Sequence, residues 1–319
     1  MRSLRDDLIE DGTYLGDPDL NVRHAFQWVQ FEKGRILCTT QVARAYDEAF
    51  AAYKDDVVAA EPPPAPTAAN LSGVYRIDES LFFMTADGNW NPKSDYGGFD
   101  ESKATCLLAA PSESFFAKDF ELANRNIHTI VKMGLSGDNR PLKGIFNDTD
   151  DGRRLLKLRH VLFEANDESV AKDGSVDDDE KTDSIDGDDE SLDIDEVLEV
   201  TANGGRPLTK AEQLEFFIKG WPVKKRAAKE EMLSMVKTHQ VTPIIAFDII
   251  GDRILPSTYE ARLKGADVKV HFNMMHWAFG NSKKPATLSD TIVADLANMR
   301  VIVPDVFTPQ IGIKRVRKL

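Results

Sequence analysis

The chain has 319 residues, 42% of them hydrophobic, which exceeds the usual domain of roughly 100–200 residues and supplies enough apolar material for packed cores. No apolar run approaches the roughly 18–20 residues that span a bilayer, and the opening MRSLRDDLIEDGTY alternates charges without an apolar signal region, so the expectation is an intracellular protein, nuclear or cytoplasmic, with no membrane partner. Two cysteines, Cys38 and Cys106, without a CxxC or Cys/His cluster, exclude a disulfide framework and a structural zinc site and predict buried free thiols.

Residues 1–60 read as a helical N-terminal segment. Asp19 is placed to cap a helix, and Val22, Phe26, Val29, Leu37, Val42, Ala45, Phe50 and Tyr53 recur at about helical spacing, broken at Lys33-Gly34, so two helices are predicted over 22–58. Residues 61–69 form a Pro-rich linker, because Pro62, Pro63, Pro64 and Pro66 lack an amide donor and restrict the residue before them. Residues 70–165 carry short runs of strand composition at Val74–Ile77, Leu81–Thr85, Ala104–Ala109 and Leu155–Glu164. Between them a helix-compatible stretch, Phe120–Met133, ends at Gly134; together these predict an α+β region.

Residues 166–204 are predicted to be a disordered acidic linker, since they hold too little apolar surface to offset chain entropy. This stretch changes the meaning of the net charge of −13. From Asp167 to Glu199 there are 16 acidic and 2 basic residues, a net −14. From residue 200 onward there are 19 basic and 11 acidic, a net +8, and the first 166 residues hold 19 basic and 26 acidic, a net −7. The C-terminal third alone is cationic, and the acidic linker would compete with a polyanion or attract a basic protein such as a histone.

Residues 205–313 read as a basic module and 314–319 as a basic tail. A capping box, Thr209 with Glu212, opens a helix expected to reach about Lys219 and to bury Leu214, Phe217 and Ile218. A second helix, Lys224–Thr238, begins with Lys224, Lys225 and Arg226, the unfavourable end of the dipole for cations, a placement better tolerated if they meet something anionic. Strands follow at Pro243–Ile250, Val268–Phe279, Ile292–Asp295 and Met299–Val303, with a brief helix at Pro256–Leu263 and a basic loop at Gly280–Ala286.

The strand 268–279 carries the functional signal. Alternation sends Val268, Val270, Phe272 and Met274 to a core face and Lys269, His271, Asn273, Met275, Trp277 and Phe279 to the other. A cation, hydrogen-bonding groups and two rings on one face suit the stacking of unpaired bases, with Lys283, Lys284, Lys224, Lys225 and Arg226 tracking phosphates. The alternative is that the rings pack under other elements. Lys224–Ala227 and Lys314–Arg317 also match the pattern of short nuclear-import signals.

Enzyme motifs fail. Asp87-Gly88-Asn89-Trp90-Asn91 opens like a calcium loop, but Pro92 replaces the turn glycine and Gly98 the bidentate glutamate. His271 and His276 face opposite sides of a strand, Asp248 and Asp295 are a weak acid pair, and no P-loop, dinucleotide or nucleophile-elbow motif occurs. No cofactor is expected.

The run ILPSTYEARLKGADVKVHFNMMHWAFGN with DTIVADLANMRVIVP resembles a motif of uncharacterised proteins of mushroom-forming fungi, often found in repetitive or mobile-element contexts. The resemblance lies on Pro256, Ser257, Tyr259, Gly265, His276, Trp277 and Val301–Pro304, and implies a small OB-like β-barrel without an assigned activity. The reading is therefore α+β: N-terminal helices, a mixed middle region, a disordered acidic linker and a C-terminal OB-like module, non-enzymatic, binding single-stranded nucleic acid. The competing reading is a structural or assembly protein, capsid-like or an adaptor, without nucleic-acid readout.

Overall fold

Alternation over Val268–Trp277 produces the strand β11 (Asp267–Phe279) in a computed structural model that describes residues 1–55, 61–94, 97–137, 140–166, 206–280 and 287–305. The acidic stretch from 167, Lys283 and Lys284 with most of their loop, and the basic tail lie outside the described residues. The chain is α+β. Ahead of β11 come the hairpin β1 (Phe26–Phe31) and β2 (Gly34–Thr39), then β3 (Leu71–Ile77), β4 (Lys103–Ala109), β5 (Leu142–Lys143), β6 (Phe146–Asp148), β7 (Arg154–Val161), β8 (Phe163–Ala165), β9 (His239–Val241) and β10 (Ala246–Phe247); β12 (Ser289–Val303) follows it. The helices of the first half are α1 (Arg2–Glu10), α2 (Val22–Ala25), α3 (Thr40–Asp55) and α4 (Ala117–Gly134).

Pairing follows the order β11-β3-β4-β7-β12, and β12 returns to β11, so five strands close a ring. Four contacts are antiparallel and one, β12 with β7, is parallel at Ala294↔Leu158 and Asp295↔Arg159. Five strands closing on themselves make a small barrel of the OB size, filled by side chains. The interior takes the inward rows Leu71, Tyr75 and Ile77; Cys106 and Leu108; Leu156 and Leu158; Val268, Val270, Phe272 and Met274; and Ile292 and Ala294. Ala123, Ile127, Ile130 and Val131 of α4 join that core, and Phe120 meets Tyr75 edge-on at 6.0 Å. Both cysteines are buried and free, and burial pushes the Cys38 thiol up to about 11 and that of Cys106 upward as well.

The expected barrel is present, but residues 205–313 do not build it alone. They contribute β11 and β12, whereas β3, β4 and β7 come from the 70–165 region. Two long strands leave two open edges, and only three more strands satisfy them.

Other elements also differ from the sequence reading. Residues 26–39 form a hairpin in place of helix, with Glu32 at the turn in a left-handed conformation, φ 48°. Leu81–Thr85 is irregular, and Pro243–Ile250 reduces to the two-residue β10. The two strands expected at 292–295 and 299–303 are one, β12, with its register shifted between Leu296 and Asn298. The capping box of Thr209 and Glu212 forms, but its helix stops at Leu214, which stays 44% exposed, with Phe217 and Ile218 only half-buried.

Gly73 faces the barrel interior in β3. A Cβ placed there would sit 2.4 Å from Cε2 and 2.7 Å from the hydroxyl oxygen of the fully buried Tyr75. The ring therefore occupies the space that a side chain at 73 would need, the usual meaning of a glycine inside a strand. Replacing Gly73 by Ala is expected to destabilise the protein by about 1–3 kcal/mol, read as a lower urea midpoint with the slope unchanged.

Candidate nucleic-acid interface

Antiparallel partners share a face, so the register fixes what surrounds the outward row of β11. Lys269 lies opposite Arg300 and Val74, His271 opposite Asn298 and Ser72, Asn273 opposite Asp295, Met275 opposite Val293 and Ile36, and Trp277 opposite Thr291. The burial pattern of β11 follows the predicted alternation, with the first row buried and the second half-buried or exposed.

The outer face is framed on two sides. Leu4, Leu8 and Ile9 of α1 pack on Val74 and Ile302 near the Lys269 end. Ala43, Val42 and Tyr46 of α3 pack on Val29, Ile36 and Met275. His271 lies 3.2 Å through Nδ1 from Asn70 Nδ2, and burial, with Lys269 adding repulsion, holds its pKa below the ordinary histidine value. The Lys269–His271 end is thus partly enclosed.

The Trp277–Phe279 end is open. Phe279 is 52% exposed, and its carbonyl accepts a hydrogen bond from Arg140 Nη2 at 2.7 Å. The half-buried Trp277 ring fits beside Gly34, where a Cβ would come within 2.8 Å of Nε1. The Arg159 guanidinium stands 5.8 Å from the Trp277 ring centroid and forms a two-pronged pair with Asp295, one arm at 3.0 Å.

Arg159 belongs to a cationic cluster that the sequence reading did not include. Lys157 and Arg159 alternate on one face of β7, and β4 sets Lys103 on the same face opposite Val161. Burial, then the charges of Arg159 and Lys103, push the Lys157 pKa below its ordinary value. Asp295 is spent on Arg159, and among the described residues neither Lys157 nor Lys103 has an ion-pair partner. The one available signal was the alternation within Lys157-Leu158-Arg159; the approach of Lys103 depends on β4–β7 pairing.

Lys224, Lys225 and Arg226 are placed elsewhere, at the start of the helix Arg226–Met235. Asp87, from the failed calcium-like loop, accepts hydrogen bonds from the backbone N–H groups of Lys224 and Lys225 at 2.9 and 3.0 Å. Lys224 Nζ pairs with Glu260 at 3.1 Å, Lys225 Nζ donates to the Trp90 carbonyl, and Arg226 pairs with Glu230 at 3.0 Å. The anion that offsets cations at this helix start is therefore supplied from within the protein.

His276 is buried on the opposite face from His271, 2.9 Å from Asp290. Asp248 closes its own turn by accepting the N–H groups of Ile250, Gly251 and Asp252, so Asp248 and Asp295 serve separate partners. Among the described residues no three His, Cys, Asp or Glu side chains converge as metal ligands would, and no helix is long and apolar enough to cross a membrane.

No protein-family model and no curated protein sequence matches the chain. Among solved structures it is similar to gp2.5, a single-stranded DNA-binding protein encoded by bacteriophage T7, at 9% identity and a TM-score of 0.35, over 78% of this chain and 98% of that one. It is also similar to a single-stranded DNA-binding protein from bacteriophage Enc34. With single-stranded DNA bound, that protein gives 10% identity and a TM-score of 0.31, over 73% of this chain and 85% of that one. A second structure of the Enc34 protein gives 10% identity and a TM-score of 0.32, over 91% and 96%. At these values the functional reading rests on the geometry of this chain.

Proposed function

We propose that the protein binds single-stranded nucleic acid, without catalysis, across the open end of the barrel's outer face. The observation that carries this reading is the approach of the Arg159 guanidinium to the Trp277 ring, next to exposed Phe279, with Lys157 on the same face of β7 and without a carboxylate partner among the described residues. Bases stack on the rings and phosphates meet the lysines, an arrangement that tolerates any sequence. Lys269 and His271 continue the face toward α1, and Lys283 and Lys284 follow Phe279 by four and five residues. Lys224, Lys225 and Arg226, already engaged by Glu260, the Trp90 carbonyl and Glu230, form no part of this surface.

The test is fluorescence anisotropy of the full chain with oligo-dT over a range of salt. Binding should weaken steeply with salt, and Trp277→Ala should cost about 1–3 kcal/mol, roughly five- to 150-fold in Kd. Lys157→Ala should reduce the salt slope by about 1. Binding that is absent, or that ignores both salt and Trp277, would sink the reading.

A further inference from the structure

The geometry points to a second binding site, for the phosphate of a nucleotide unit, in a cleft at the free edge of β1. This cleft, about 630 Å³, lies between α2, the start of α3 and the C-terminal end of α4. Volumes of this order are typical of small-ligand sites. Arg23, His24, Arg35 and Arg44 line it, and among the described residues no Asp or Glu does. Arg35 donates through Nη1 to the Gly134 carbonyl at 3.3 Å, which orients its guanidinium and leaves other N–H groups free to donate. Among the described residues none of the three arginines has an ion-pair partner.

Three guanidinia around one concavity repel one another unless an anion joins them, and their planar forks match phosphate oxygens. Two further features favour the same ligand. Thr40, at the start of the 16-residue helix α3, lines the cleft; the Thr39 hydroxyl oxygen accepts the Val42 N–H, but the first turn holds no acidic residue, so no carboxylate offsets the partial positive charge there. Trp28 forms part of the wall with its indole fixed by an Nε1–H bond to the Ile130 carbonyl at 3.0 Å, a rigid surface beside the arginines against which a base can lie. This site is separate from the Trp277 face and stands without it, since Trp28 and Arg35 point to the side of the sheet on which His276 lies.

The phosphate has two sources, a free nucleotide or a residue within a polynucleotide. Titration of the full chain with inorganic phosphate, thymidine 5′-monophosphate and oligo-dT separates them. Arg44→Glu and Arg23→Glu, both on exposed positions of different elements, serve as the variants, each checked for an unchanged melting temperature. Monophosphate binding that either variant weakens roughly tenfold or more, the size of a lost charge-assisted hydrogen bond, supports the free-nucleotide source. Oligo-dT binding alone, weakened likewise, supports the polynucleotide source. Wild-type affinity for all three probes in both folded variants, no binding of any probe, or inorganic phosphate alone binding overturns the proposal. Failure of the barrel-face reading appears differently, as oligo-dT affinity that Trp277→Ala leaves unchanged.

Discussion

Residues 205–319 expressed alone are expected to give no cooperative thermal or urea transition, whereas 1–166 and 206–319 produced together as separate chains should purify as one folded complex. The barrel explains both results. β11 pairs over six residues with β3, from Asp267↔Arg76 to Phe272↔Leu71, and β12 needs β7 on its other side. Without the first half, both strands lose a neighbour. The inward row of β11 would lose Leu71 and Tyr75 on β3 and the apolar face of α4, and a two-stranded ribbon is at best marginal in water. Circular dichroism with a urea titration checks the fragment, and size exclusion checks the pair. A fragment 205–319 that melts cooperatively would show that the ring is not the unit of stability.

Asp290→Ala is expected to destabilise the full chain by about 3–5 kcal/mol, the cost of stripping one partner from a buried charged group. Asp290 is fully buried in β12. His276 Nε2 lies 2.9 Å away, Ser136 donates its backbone N–H at 3.2 Å, and Arg140 Nε stands at 3.4 Å. Removing the carboxylate leaves Arg140 and His276 in the protein without their anion. Burial pushes the Asp290 carboxyl up, but the bonds from His276 and Ser136 and the Arg140 charge outweigh it and hold the pKa below the ordinary value. A depressed carboxyl contributes stability above its unfolded pKa of about 3.9 and loses it as pH falls through the lower folded value. The stability gap between wild type and Asp290→Asn should therefore narrow on acidification through that window, measured as urea midpoints at a series of pH values. A gap that stays constant, or widens, contradicts the assignment.

Legibility in the sequence tracked how each strand is covered. β11 was readable because over Val268–Asn273 one row is core and the other polar, so period two survives in the composition there. The β1–β2 hairpin was not, because both of its faces are covered. Phe26 and Leu37 enter the main core while Val29, Ile36 and Cys38 meet α3, and apolar residues on both sides erase alternation and mimic helical spacing. β12 looked like two strands because its register slips between Leu296 and Asn298, which breaks the pattern without breaking the strand. At the candidate interface, Trp277 and Phe279 were legible from their own strand. The cluster of Lys103 with Lys157 and Arg159 was not, because nothing within 50 residues of sequence brings β4 beside β7. The basic run Lys224–Arg226 drew attention for the same local reason and is engaged by Asp87 and Glu260, distant acids that only folding supplies.

The closing seam of the ring joins β7, ending at Val161, to β12, which begins at Ser289. A ribosome adding about 5–20 residues each second needs roughly six to twenty-five seconds to synthesise the intervening chain. Throughout that interval β7 has been made while β12 has not, and β3 waits likewise until β11 begins at Asp267; each carries an unsatisfied row of backbone donors and acceptors meanwhile. Nascent chains of this protein should therefore be clients of co-translational chaperones, and a slower-elongating or chaperone-poor host should yield more aggregate at equal expression.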